Sequence, residues 1–136
     1  MFKKTLLIAA VTGFALSGCA DNKVQEKALL DSVIKVHDKV MMDDGVVMKN
    51  KMLLKGIASK DSAAAVKDSS EYYSKLLGDA DDSMMTWMNK FNPDFTGKSH
   101  SEAMDYLHKQ KEQITKISLQ LDSAITASNN YIKKAK

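Results

Sequence analysis

The side chains in this sequence best suited to chemistry are thioethers and imidazoles. The chain holds nine methionines, three histidines and one tryptophan in 136 residues. Their placement is uneven. Met41, Met42, Met48 and Met52 follow His37; Met84, Met85 and Met88 surround Trp87; His100, Met104 and His108 recur at every fourth residue. Thioether sulfur and imidazole nitrogen are soft donors that together suit Cu(I). The candidate metal set is His37, Met84, Met88 and Met104, with Trp87 as its aromatic neighbour. The competing reading is structural. Methionine forms helices well and fills irregular core gaps. His37 is then a satisfied core residue bonded to Asp44 or to Tyr73, or a register-setting polar group. His108 lies well off the apolar seam of its segment and reads as solvent-facing.

No other chemistry is spelled out. The sequence contains no GxGxxG, no phosphate-binding GxxxxGK[ST] loop, no HExxH and no GxSxG, and no serine stands at a recognisable spacing from a base. The reading is therefore non-catalytic. Asp79, Asp81 and Asp82 lack the further ligands and final glutamate of a calcium loop and read as a solvated face or a helix restart. Every one of the 20 basic residues is lysine. Arginine is the usual bidentate reader of phosphates and bases, so no nucleic-acid partner is expected.

Residues 1–18 follow an export pattern: Lys3 and Lys4, then the apolar stretch Thr5 to Leu16. That stretch is shorter than the roughly 20 residues needed to span a bilayer. Leu16-Ser17-Gly18-Cys19 resembles the lipobox of bacterial lipoproteins, in which the cysteine receives diacylglycerol. Cys19 is the only cysteine, so no internal disulfide competes for it. Attached acyl chains would anchor the chain to the bilayer at about 0.8 kcal/mol per buried methylene. The implied location is the cell envelope, and Ala20 after the cysteine permits sorting to the periplasmic face of the outer membrane. Removing residues 1–18 lowers the formal charge from +3 to +1, because Lys3 and Lys4 leave and no acid does.

The elements that must position the soft ligands are helical throughout. Residues 19–27 read as the lipidated N-terminus and a short polar tether, and residues 28–136 as one helical bundle domain. Sustained strand alternation and Asn-Gly or Asp-Gly hairpin turns are missing. A first helix is expected from about Asn22 to Lys55, with Leu29, Leu30, Val33, His37, Val40, Met41, Val47 and Met48 on its apolar face and Gly56 as a left-handed cap. A second starts near Asp61 as N-cap. Its face is Ala65, Val66, Tyr73, Leu76, Leu77, Ala80, Met84, Trp87, Met88 and Phe91. The loop Asn92 to Lys98 follows. Ser99 and Glu102 form a capping box for the third, whose seam is Ala103, Leu107, Gln110, Ile114, Ile117, Leu121, Ala124 and Ser128, closed by Tyr131 and Ile132. Matched lengths and short loops predict an antiparallel up-down-up three-helix bundle. The alternative is four helices, with the second broken near Gly78.

Two stretches, VHDKVM (Val36 to Met41) and MMTWMNKF (Met84 to Phe91), resemble small bacterial envelope lipoproteins, some labelled "viral A-type inclusion protein" for their coiled-coil likeness. The resemblance implies an exported helical lipoprotein and no particular activity. In residue type alone the Met/His/Trp set is also similar to that of some periplasmic copper carriers, whose fold is not helical. Two functions follow: a non-catalytic envelope bundle working through protein partners or a homo-oligomer, or a soft-metal binder for Cu(I). An exposed apolar patch would favour the first, and convergence of His37, Met84, Met88 and Met104 the second.

Overall fold

A computed structural model describes residues 17–135 of the chain. Among them lie three helices and no strand: α1 (Ser17–Lys60), α2 (Ala64–Lys90) and α3 (His100–Lys134). Of the expected export signal, residues 1–18, residues 1–16 fall outside the described residues, and Ser17 and Gly18 open α1.

A seven-residue repeat explains why these helices pack. On α1 the buried positions Glu26, Val33, Val40, Val47 and Leu54 are each seven apart. On α2 the same step gives Ser70, Leu77 and Met84, and on α3 Leu107, Ile114, Leu121 and Ser128. Such a step keeps one stripe turned toward neighbouring helices over many turns. Leu29, Asn50, Ala80, Trp87, Ala103, Gln110 and Ala124 fill the half-steps. Each large aliphatic side chain buried this way contributes about 1.5–3 kcal/mol.

Polar cross-links fix the register. Glu26 accepts a 2.9 Å contact from His100, Lys39 donates to Asp122 at 2.7 Å, and Asn50 donates to Ser128 and Asn129, both at 2.9 Å. These pairs ascend together, so α1 and α3 run in the same direction. Trp87 of α2 lies beside His37, while Ser70 and Val66 near its start meet Tyr131 at the end of α3. The second helix therefore runs opposite to both. The Asp122 carboxylate holds the Lys39 ammonium above its ordinary value, with Asp43 adding to the effect.

Several boundaries differ from expectation. Residues 20–27 are helical rather than a tether, because Glu26 falls on the heptad stripe and is buried there. Gly56 does not cap α1, which runs on to Lys60. The extra turn lets Ile57, seven residues after Asn50, pack against the core. Asp61 is not the N-cap of α2. Its carboxylate accepts the Ala63 N–H at 2.9 Å and so shapes the three-residue turn, and Ala63 caps without a side-chain bond. Gly78 lies within an unbroken α2, so the four-helix alternative is not adopted and the acidic run starts no new helix. The capping box of Ser99 and Glu102 is present. Gly97, at φ 79°, supplies the left-handed residue in the loop before it.

Candidate functional site

The end of the bundle where α2 stops and α3 begins collects Trp87, Phe91, Phe95 and Tyr106. Trp87 stacks on Phe91 with ring centres 4.7 Å apart, and Tyr106 lies 6.3 Å from Phe91 and 6.0 Å from Phe95. The Tyr106 hydroxyl accepts the Asn92 N–H at 2.8 Å, pinning the loop to α3. His37 faces α2, its ring 6.1 Å from that of Trp87, and its Nδ1 is 3.0 Å from the Asp38 carboxylate. The expected partner of His37, Asp44 or Tyr73, is therefore replaced by its chain neighbour. Tyr73 stacks on Tyr131 instead, at 4.9 Å. Trp87 is buried, and its Nε1–H has no hydrogen-bond partner. A donor so stranded costs about 1–3 kcal/mol.

At the N-terminal end of α3, Glu26 accepts from Lys23 at 2.7 Å as well as from His100. Its carboxyl is held below the ordinary value of 4.5, mainly by the Lys23 bond and then by His100. His108 is exposed, as its position off the seam predicts.

The soft ligands divide into two groups. Met84 and Met88 line a cavity of about 200 Å³ between α1 and α2, and they share it with Met41 and Met85. His37 and Met104 are not among its walls. Met104 is half-buried against the core from α3. Asp44 and Asp81 complete the polar part of the cavity rim. Sequence reading placed Met41 on the core face and gave Met85 no role. In fact Met41 and Met85 are 44% and 53% exposed. The signal that could have found them is the heptad of α1 and α2: positions 41 and 85 each follow a buried seam residue, Val40 and Met84, by one.

The same offset explains Met48 but not Met42 or Met52, which are 76% and 73% exposed without following a buried seam residue. Met48, expected on the core face of α1, follows the buried Val47 and is 53% exposed. Met48 and Met52 line a wider groove of about 720 Å³ between α1 and α2, whose walls carry Lys51, Lys55, Lys67 and Lys75. The outer face of α1 thus offers Met41, Met48 and Met52 in a row, with Asp44 toward one end and Lys51 and Lys55 toward the other. Among the described residues, Asp44, Lys51 and Lys55 take part in no ion pair.

None of the three helices is long and apolar enough to cross a membrane. No protein-family model matches the chain, and neither a curated protein nor a solved structure matches it.

Proposed function

We propose that this chain is a non-catalytic envelope lipoprotein, tethered through acylated Cys19, whose bundle works by self-association along the outer face of α1. The observation that carries this reading is the exposed row Met41, Met48 and Met52 beside the α1/α2 groove. Exposed apolar side chains gathered on one face mark a contact surface more often than scattered ones do. Methionine suits such a surface because its unbranched thioether adapts to what it meets.

Charge argues for the occupant. Along α1 the row reads Met41, Asp44, Met48, Lys51, Met52, Lys55. A second copy laid antiparallel across Met48 sets Asp44 of each chain against Lys51 and Lys55 of the other. A parallel copy sets like charges together. A two-fold interface is self-complementary in this way, and unpaired charges at its rim select orientation more than they add affinity. The anchor rests on the order of residues 1–19 and on Cys19 as the only cysteine.

Sedimentation equilibrium of the full chain in density-matched detergent tests the reading. The wild type is expected to dimerise, more weakly at high salt. Lys51→Glu with Lys55→Glu makes the row uniformly acidic and is expected to leave monomers. Adding Asp44→Lys to that pair reverses the polarity and is expected to restore the dimer. A chain that stays monomeric at every concentration, or a dimer indifferent to these swaps, would overturn self-association through this face.

A further inference from the structure

We infer that the cavity walled by Met41, Met84, Met85 and Met88 is a thioether site for a soft monovalent cation, Cu(I) or its redox-inert analogue Ag(I). Packing accounts for only part of this group. Met84 occupies the heptad seam and is 3% exposed, as a core residue should be. Met41 and Met85 lie off the seam and are about half exposed, where burial gives them less reason to be apolar. Yet both return to the same small cavity as Met84 and Met88. The seam of α1 takes valine at 33, 40 and 47. The cavity rim takes an unbranched thioether on each of two helices.

The helices supply the donors in a workable arrangement. Met84 and Met88 are one turn apart on α2 and stack along it, while Met85 and Met88 are neighbours at a three-residue spacing. Met41 closes the set from α1. Its long side chain, like that of Met85, has three rotatable bonds with which to swing a sulfur inward. Four neutral thioethers leave the ion's single positive charge uncompensated, and Asp44 and Asp81 stand at the rim to offset it. Harder ions find less. Among the described residues no three of His, Cys, Asp or Glu come together as a metal-binding group. Soft sulfur donors therefore select a soft ion here. The site shares Met84 and Met88 with the set expected from sequence and exchanges His37 and Met104 for Met41 and Met85. It shares Met41 and Asp44 with the contact row but not Met48, Lys51, Met52 or Lys55, so substitutions at those four positions test self-association alone.

The test is a titration with Ag(I) of the full chain in detergent, with Cys19→Ser removing its one thiol, followed through the ¹³C-labelled methionine methyl resonances. One equivalent is expected to shift the methyls of Met41, Met84, Met85 and Met88 and to leave those of Met42, Met48 and Met52 in place. Met41→Leu with Met85→Leu keeps the surface apolar and the helices intact, and is expected to weaken binding about tenfold or more. Circular dichroism checks that the variant is folded, and Met42→Leu with Met52→Leu is expected to bind as the wild type does. Equal shifts at every exposed methionine, no shift at any, or a double variant that binds unchanged would overturn the site. So would binding lost on His37→Ala but kept in the double variant, because the donors would then be His37 and its partners.

Discussion

The two faces of α1 are made from adjacent residues and do opposite things. Val33, Val40, Val47 and Leu54 form its inner face and are almost fully buried; Met41, Met48 and Met52 form its outer face and are largely exposed. Both are apolar, and the first two methionines each sit one residue after a buried valine. The two also differ in shape. Branched side chains with few rotamers fill the space between helices that meet at fixed spacing. Unbranched thioethers line the exposed surface. Two faces on one helix show that apolar character alone does not mark a core, and that position in the seven-residue repeat carries the further information. Branching follows that position only in part: Val24 is 67% exposed and Met84 3%.

Substitutions should separate the faces by the size of their effects. Leu54→Ala is expected to cost about 2–5 kcal/mol, since it opens a cavity in a fully buried position. Denaturant unfolding would show it as a lower midpoint at nearly unchanged slope. Asn50→Ala comes next. Asn50 is 2% exposed and bonds both Ser128 and Asn129. Its loss is expected to destabilise by about 1–3 kcal/mol. Because a buried polar residue on a seam also sets register, Asn50→Leu is expected to unfold less cooperatively than its extra apolar area suggests. If Asn50→Leu stays sharply cooperative, the register role fails.

The pH dependence is smaller and its sign is fixed. Glu26 titrates below its ordinary value because of Lys23 and then His100. A depressed carboxyl stabilises the fold fully above its unfolded value and loses that contribution as pH falls through the folded one. The gap in midpoint between wild type and Glu26→Gln is therefore expected near neutral pH and should close on acidification below the carboxylate range. A gap unchanged at low pH would assign the effect to packing. Smallest of all, Met48→Ala on the outer face is expected to change monomer stability by no more than about 0.5 kcal/mol. A loss as large as that of Leu54→Ala would erase the distinction between the faces.

Most of the fold was legible in the sequence because it depends on periodicity. The capping box of Ser99 and Glu102, the seam of α3 and the short loops led to three helices in the observed order, although their lengths are 44, 27 and 35 residues and not matched as expected. The one slip in that seam is local: Ser118 is buried and Ile117 half-buried, where Ile117 lines the groove between α2 and α3. The misread parts depend on interactions distant in sequence. Glu26 looks like tether because its partner His100 is far along the chain. Gly56 and Asp61 are capable of capping, and the packing of Ile57, the residue after Gly56, against the core decides otherwise. The candidate site was harder still. Methionines at 41, 48, 84 and 85 share one residue type, and only the positions of two neighbouring helices sort them into core, cavity and surface.

Self-association through the outer face of α1 is tested most directly by disulfide formation at its centre. In the full chain carrying Cys19→Ser, Met48→Cys places one thiol where the two-fold axis would bring it against its own copy. Mild oxidation is expected to yield a covalent dimer from Met48→Cys and little from Met42→Cys, which is more accessible but lies on another side of the helix. Equal and slow dimer formation from both variants would mean that copies meet at random, and would contradict the assignment of this face as the contact surface.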